Sequence, residues 1–340
     1  MDEITLLLLL HNRSEFNQRW LDFHTPLLDE GVEIYIADGS KSMDKRLKEF
    51  SLKNQRIEYQ YIQPDDDIQK FVQKTVLALS QIDTKYTIMC SNDDLVGRSA
   101  RTKMVLFLQE NADYVCAMGI NQNFATSFFP NQSNSLNGTI VYSNQIGNLG
   151  PYDEELKERL LRYSQNSESY WHGTVKTEIL LEAWEKAETL GINSYQELDL
   201  FLNLYMLCKG KFYFSDRYIS VFHQVHYDMI AQKLPNIREN LSDPIWNRGV
   251  KNIFDFLERE FKIGSIDAKA IYESYLTNRQ LEISSKPAKN ITIWKRVFNK
   301  LSYEYHKRLN SIIRIHGDIQ IGKNCIDDLK EIENFLMSFK

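Results

Sequence analysis

The first hundred residues alternate short apolar runs with amphipathic stretches. Ile4 to Leu10 is apolar except for Thr5, as expected of a parallel strand covered on both faces. Between Ser14 and Leu28, Phe16, Trp20, Phe23 and Leu27 recur every three or four positions, which predicts a helix. Val32 to Ala37 reads as a second strand ending in the turn signal Asp38-Gly39-Ser40. A short charged helix follows, then a third strand from Ile57 to Ile62. Pro64 and the run Asp65-Asp66-Asp67 open another helix, with Phe71, Val72, Val76 and Leu79 as its buried stripe. The acidic triplet fits the positive N-terminus of that helix better than it fits a metal site. Tyr86 to Cys90 is the fourth strand. Repeated βα units of this length predict an α/β fold with a mostly parallel sheet and right-handed crossovers.

Beyond Asp94 the pattern changes. Arg98 to Glu110 reads as a helix and Ala112 to Met118 as a strand. Residues 121–148, rich in Asn, Ser and Gly, suggest long functional loops or a hairpin. A helix from Asp153 to Tyr163 leads to Trp171-His172-Gly173-Thr174 and a helix through Leu180, Leu181 and Trp184. Gln196 to Leu207 is strongly helical, Phe212 to Phe214 and Ile219 to Phe222 are short strands, and from Ile230 the pattern is helical. There is no internal repeat.

Composition narrows the class. With 340 residues, 43% hydrophobic and 26% charged, the chain has the balance of a soluble globular protein. A net charge of −5 argues against an electrostatic nucleic-acid binder, so no nucleic-acid partner is expected. Cys90, Cys116, Cys208 and Cys325 lie far apart, forming neither a zinc knuckle nor a disulfide framework, and read as reduced thiols of a cytoplasmic protein. The N-terminal apolar run follows Asp2-Glu3 and ends at His11-Asn12-Arg13, which suits a buried strand rather than a signal peptide or a membrane span.

The candidate chemistry begins where the fourth strand drives into Ser91-Asn92-Asp93-Asp94. In open α/β sheets, ligands sit beyond the carboxyl ends of the strands. Hard divalent cations prefer carboxylate oxygens together with substrate phosphates. The pair therefore reads as a site for a metal-chelated phosphate compound, against the plainer reading of an Asp-rich turn capping the next helix.

Five motifs in order carry a resemblance. His11-Asn12-Arg13 follows the first strand. Ala37-Asp38-Gly39-Ser40 ends the second, and Asn92-Asp93-Asp94 ends the fourth. Gln196-Glu197-Leu198-Asp199-Leu200-Phe201-Leu202 opens a late helix, and Gly210-Lys211-Phe212 starts a late strand. Over roughly residues 1–225 the chain resembles the GT-A-type, nucleotide-sugar-dependent glycosyltransferases, especially the large inverting family 2-like group of bacterial surface-glycan synthesis. It departs from that group at Ala37, where an Asp is usual, and at Asn92, which replaces the first Asp of the metal-binding DxD.

The resemblance implies a GT-A, Rossmann-like domain over residues 1–228, divided into a nucleotide-binding half (1–118) and an acceptor half (119–228), with a helical C-terminal region (229–340). It implies transfer of a sugar from a nucleotide-diphospho-sugar, most commonly a UDP-sugar, to a glycan or lipid-linked hydroxyl, by direct displacement with inversion. Such a step needs a base for the hydroxyl proton and an electrophile for the leaving diphosphate. By resemblance Asp94 ligates Mg²⁺ or Mn²⁺, and Asp93 and Asn92 lie against the nucleotide. Asp38 and Ser40 meet the base, with His11, Asn12 and Arg13 near the nucleotide. Glu197 stands at the catalytic-base position, with Asp199 as the alternate. Trp171 and His172 fall on the acceptor side. His226 is the expected histidine ligand or phosphate contact, ahead of His223; imidazole suits Mn²⁺ better than Mg²⁺.

Residues 286–314 hold eight Lys or Arg against Glu304, around an apolar stripe of Trp294, Phe298, Leu301, Tyr305, Leu309 and Ile312. The stripe suits a helix packed on the catalytic domain, or an interfacial helix at the inner face of a membrane. A nucleotidyltransferase is the alternative enzyme, but a Gly-rich phosphate loop is missing after the first strand. A catalytically silent binding module is the alternative outside enzymes. A Rossmann dehydrogenase is disfavoured because no GxGxxG follows that strand.

Overall fold

The computed structural model describes residues 3–62, 65–125, 140–146, 151–166, 169–224, 244–285, 312–314 and 326–338. Four parallel strands form one half of a single mixed sheet: β1 (Ile4–Leu10), β2 (Glu33–Asp38), β3 (Ile57–Tyr61) and β4 (Tyr86–Cys90), in the spatial order β4-β1-β2-β3. Their continuous apolar runs have a visible cause. In β1, Ile4, Leu6, Leu8 and Leu10 enter the core on one face while Leu7 and Leu9 enter the core on the other. β2 repeats this, with Ile34 and Ile36 on the first face and Tyr35 and Ala37 on the second. Each such aliphatic side chain contributes about 1.5–3 kcal/mol on burial.

β4 then pairs antiparallel with β8 (Thr174–Lys176), which pairs antiparallel with β6 (Tyr114–Ala125). On the other edge of β6 runs β9 (Lys211–Gln224), parallel to it, and β5 (Asp94–Val96) pairs antiparallel with β9. β7 (Ile140–Ile146) and β10 (Ile312–Arg314) complete the far edge. This half mixes directions, where the repeated βα units predict parallel pairing.

Helices cover both faces: α1 (Asn17–His24), α2 (Lys45–Ser51), α3 (Ile68–Leu79), α4 (Arg98–Glu110), α5 (Leu156–Asn166), α6 (Thr177–Leu190) and α7 (Tyr195–Lys209). The helix predicted over 14–28 is three pieces: 3-10 turns at Ser14–Phe16 and Thr25–Glu30 flank α1, the second with Pro at its start. The two predicted strands at 212–214 and 219–222 are one, β9, because the polar Ser215-Asp216-Arg217 continues the extended backbone.

After residue 243 come α8 (Pro244–Phe261), α9 (Ser265–Ser285) and α10 (Ile326–Ser338). Val250, Ile253, Phe254 and Leu257 of α8 share a core with Leu198, Phe201 and Tyr205 of α7. Leu329, Ile332 and Leu336 of α10 pack with Ile120, Phe124, Ile219 and Phe222 of the sheet. No described helix is long and apolar enough to cross a membrane. The interfacial stripe expected over 286–314 lies outside the described residues except for the strand at 312–314.

Candidate active site

The C-terminal ends of β1, β2, β4, β6 and β9 open on the same edge of the sheet, because these strands run in one direction. β8 runs the other way, so the residues just before it, Trp171 to Gly173, reach that edge as well. The motifs at His11, Asp38, Asp93 and Trp171 meet at this edge, whereas Gly210-Lys211-Phe212 opens β9 at the opposite one, beside the start of β6.

At the end of β4 the chain turns through Ser91, Asn92 and Asp93 into β5, with the Asp94 N–H donating to the Ser91 carbonyl at 3.1 Å. Asp93 and Asp94 are each 2% exposed. The register of β5 on β9 sets Asp94 opposite His223, whose Nδ1 lies 2.6 Å from Asp94 Oδ1. Asp94 Oδ2 accepts the Ser91 N–H at 2.8 Å. Ligand atoms of Asp93, Asp94 and His223 lie within 4.8 Å of one another. Two carboxylates and an imidazole are a donor set for a divalent cation, with Mn²⁺ favoured over Mg²⁺ by the nitrogen. Burial alone would lower the pKa of His223, but the adjacent Asp94 charge and hydrogen bond, with Asp93 behind them, raise it to about 9. A cation bound there would compete with a proton for His223. His226 lies outside the described residues.

Two arginines flank the acids. Arg13 Nη1 donates to Asp93 Oδ2 at 2.5 Å. Arg13 and Asn12 both adopt left-handed backbone, at φ 55° and 60°. Such a conformation costs roughly 1–2 kcal/mol per residue and persists only when its surroundings impose it. Here the Asn12 N–H donates to Ser40 Oγ at 2.8 Å, Asn12 Oδ1 accepts the Lys41 N–H at 3.2 Å, and Asn92 Nδ2 donates to the Arg13 carbonyl at 2.9 Å. Asn92 also donates to Asn17 Oδ1 at 2.8 Å. A carboxylate could make neither donation, which gives the departure from DxD a physical reason. Arg19 is buried and donates to Gln224 Oε1 at 2.5 Å. Burial pulls its pKa down to about 10, against the opposing charges of Asp93 and Asp94. Sequence periodicity assigned Arg19 no role, because it reads as one more polar position of an amphipathic helix.

Asp38 is fully buried. Its oxygens accept the Ser40 N–H at 3.0 Å, the Asp44 N–H at 3.4 Å and the Tyr59 hydroxyl at 2.6 Å. It holds the turn together rather than presenting itself at the surface. Of the acidic triplet, Asp67 caps α3 by accepting the Lys70 N–H at 2.9 Å, and Asp66 pairs with Lys70 at 2.6 Å. Asp65 differs. It is buried, lies 2.5 Å from His11 Nδ1 and pairs with the buried Lys74.

On the other side of β4, the register Ile88 to Thr174 continues to set Gly173 and His172 beside the strand end, with His172 Nδ1 3.4 Å from the Met89 carbonyl. Trp171 stacks on His172 at 3.9 Å, and its Nε1 donates to Asp199 Oδ1 at 2.6 Å. The same oxygen accepts from the Ser169 hydroxyl at 2.6 Å and from Asn203 Nδ2 at 3.1 Å. Glu197, two residues earlier, takes another direction. Its carboxylate accepts the Asn193 N–H at 3.1 Å while Ser194 Oγ accepts the Glu197 N–H at 3.2 Å, closing the first turn of α7 as in a capping box. Glu197 is 3% exposed and lies against Gly249 of α8, where a Cβ would approach within 2.6 Å of its carboxylate. Asp199, not Glu197, joins Trp171 and His172.

No family model matches the sequence, and no curated protein matches it. Among solved structures the chain is similar to residues 1–349 of S. aureus TarS, with a TM-score of 0.54 at 8% identity over 98% of this chain and 89% of that one. It is similar also to the same TarS segment in complex with UDP-GlcNAc, with a TM-score of 0.54 at 10% identity over 90% and 81%. A longer TarS structure matches with a TM-score of 0.51 at 10% identity, over 99% of this chain and 55% of that one. At these identities the likeness shows the fold: this chain has the α/β fold of the TarS structures.

Proposed function

We propose that the protein is a glycosyltransferase that takes its sugar from a nucleotide-diphospho-sugar. The observation that carries this reading is the convergence of Asp93, Asp94 and His223, with Arg13 beside them, at the edge where the parallel strands of the mixed sheet end. The fold shared with TarS, one structure of which is a complex with the nucleotide sugar UDP-GlcNAc, supports it.

Asp93, Asp94 and His223 would hold the divalent cation. When bound, the cation neutralises charge on the leaving diphosphate. Arg13, fixed in left-handed backbone, adds a cation on the same side. For the base we favour Asp199 over Glu197, since Asp199 is held beside Trp171 and His172 while Glu197 caps its own helix. In the inverting step the acceptor hydroxyl oxygen bonds to the anomeric carbon and gives its proton to Asp199. The bond from that carbon to the diphosphate oxygen breaks, and the electron pair leaves with the nucleoside diphosphate. Trp171 offers a ring face for the acceptor sugar. A glycan or lipid-linked acceptor fits this chemistry.

The test is a panel of nucleotide sugars incubated with the protein and Mn²⁺, scored for release of nucleoside diphosphate. The reading expects turnover of at least one donor, reduced by chelator; a protein that binds and cleaves none of them is not a glycosyltransferase.

A further inference from the structure

We infer that Asn92, which stands where the resemblance places a metal ligand, is instead a positioning residue: it holds Arg13 in left-handed backbone so that the guanidinium meets Asp93, and a carboxylate in its place would weaken the site. This deepens the nucleotide-sugar reading and rests on it.

The direction of the Asn92 amide is fixed from both ends of a buried chain of hydrogen bonds. At one end is the Arg13 carbonyl, which can only accept. It takes the Phe16 N–H at 3.1 Å and Asn92 Nδ2 at 2.9 Å. At the other end is the Asp44 carboxylate, the N-cap of α2, which accepts the Arg46 N–H at 2.9 Å and Asn17 Nδ2 at 3.0 Å. Because Asp44 calls for a donor, Asn17 points its nitrogen there and its Oδ1 inward, where Asn92 Nδ2 donates to it at 2.8 Å. Asn92 and Asn17 are each 4% exposed. Asn92 thus spends its amide hydrogens on two acceptors.

A carboxylate in the same place has no hydrogen to give. It would set its lone pairs against the Arg13 carbonyl and Asn17 Oδ1, an unfavourable arrangement away from water. Asn17 cannot turn to relieve it, since its Oδ1 would then face Asp44. What gives way is the backbone of Arg13, held at φ 55°. Its neighbour Asn12, at φ 60°, is tied from the other side by Ser40 and Lys41. Released from Asn92, residue 13 relaxes towards ordinary backbone. That moves the root of the side chain whose Nη1 lies 2.5 Å from Asp93 Oδ2, and Asp93 belongs to the group with Asp94 and His223. Asn92 therefore acts through Arg13.

The two readings of position 92 predict opposite signs. If Asn92 were a metal ligand, Asn92→Asp would add a charged oxygen and tighten metal-dependent binding. Calorimetric titration of UDP in Mn²⁺ into the full chain as wild type, Asn92→Asp, Arg13→Ala and the double variant separates them. Asn92→Asp should bind UDP about tenfold more weakly than wild type, the scale of buried hydrogen bonds lost. Arg13→Ala should weaken binding by about tenfold or more, as loss of a charge-assisted contact does. The double variant should be no weaker than Arg13→Ala, because nothing is left for residue 92 to position. If Asn92→Asp does not fold, Asn92→Ala, which also frees the Arg13 carbonyl, takes its place in the cycle with the same expectation. Unchanged or tighter binding in the variant at 92, or a double variant weaker than Arg13→Ala, overturns the inference while the glycosyltransferase reading stands. Failure of the wild type to bind UDP removes both.

Discussion

The two ends of β4 teach opposite lessons about what makes a site. At the Tyr86 end lies an open cavity of about 660 Å³, lined by Ile82, Asp83, Lys85, Leu108, Lys176 and Glu178 among others. Lys85 is exposed there, and Lys176 is spent on the Ala112 carbonyl at 2.6 Å. Its charges face solvent, where pairing contributes little. At the Cys90 end, a few ångströms of space hold two carboxylates that are 2% exposed, an imidazole and two arginines. Holding charges away from water is costly unless they are paired or bind something. Convergence of buried charge, rather than volume, marks the end at which we propose the site.

The sharpest way to break this contrast is Asp94→Asn, which should lower sugar transfer about 10³-fold, since it removes a group aimed at the charge that develops on the diphosphate. Next comes the proposed base. Asp199→Asn should reduce kcat about 10²–10⁴-fold with little change in nucleotide affinity, the range for a lost general base. Glu197→Gln should lower the melting temperature and leave turnover within about fivefold; loss of turnover in Glu197→Gln with Asp199→Asn active would reverse the assignment.

Stability should respond to acid through His24. This buried ring sits with Nδ1 2.8 Å from the Trp20 carbonyl, to which it donates, and Nε2 accepts the Val96 N–H at 3.1 Å. Burial lowers its pKa from 6.5 to about 3. The unfolded chain takes up this proton near pH 6.5 and the folded one only near pH 3, so the contribution is whole above pH 6.5 and is lost as pH falls between those values. Urea midpoints measured from pH 8 to 4 should decline, and His24→Gln should flatten the decline. Gly249→Ala, which drives a Cβ to 2.6 Å from the Glu197 carboxylate, should cost about 1–3 kcal/mol in urea unfolding. Lys85→Ala, at the opposite end of β4, should leave transfer within about twofold, the level of an isolated surface charge.

Much of the architecture was legible because burial on both faces leaves a continuous apolar run. β1, β4 and α4 have the limits that their sequences predict, Ile4–Leu10, Tyr86–Cys90 and Arg98–Glu110. What local patterns miss is pairing at a distance. Arg13 meets Asp93 across 80 positions and His223 meets Asp94 across 129, so nothing near His223 distinguished it from His226. Asp65 looked like its neighbours 66 and 67, and only the fold separates a buried carboxylate from two helix-start charges. Glu197 and Asp199 are two residues apart on α7, so they leave the helix about 200° apart. The motif names both and cannot say which one faces the cleft.

The central claim is that Asp93, Asp94 and His223 grip the diphosphate of a nucleotide through a divalent cation. Calorimetric titration of UDP into wild type and Asp94→Asn, each with and without Mn²⁺, tests it most directly. The account predicts tight binding to the wild type that requires Mn²⁺ and is lost in the variant. Equal affinity in all four titrations would contradict it.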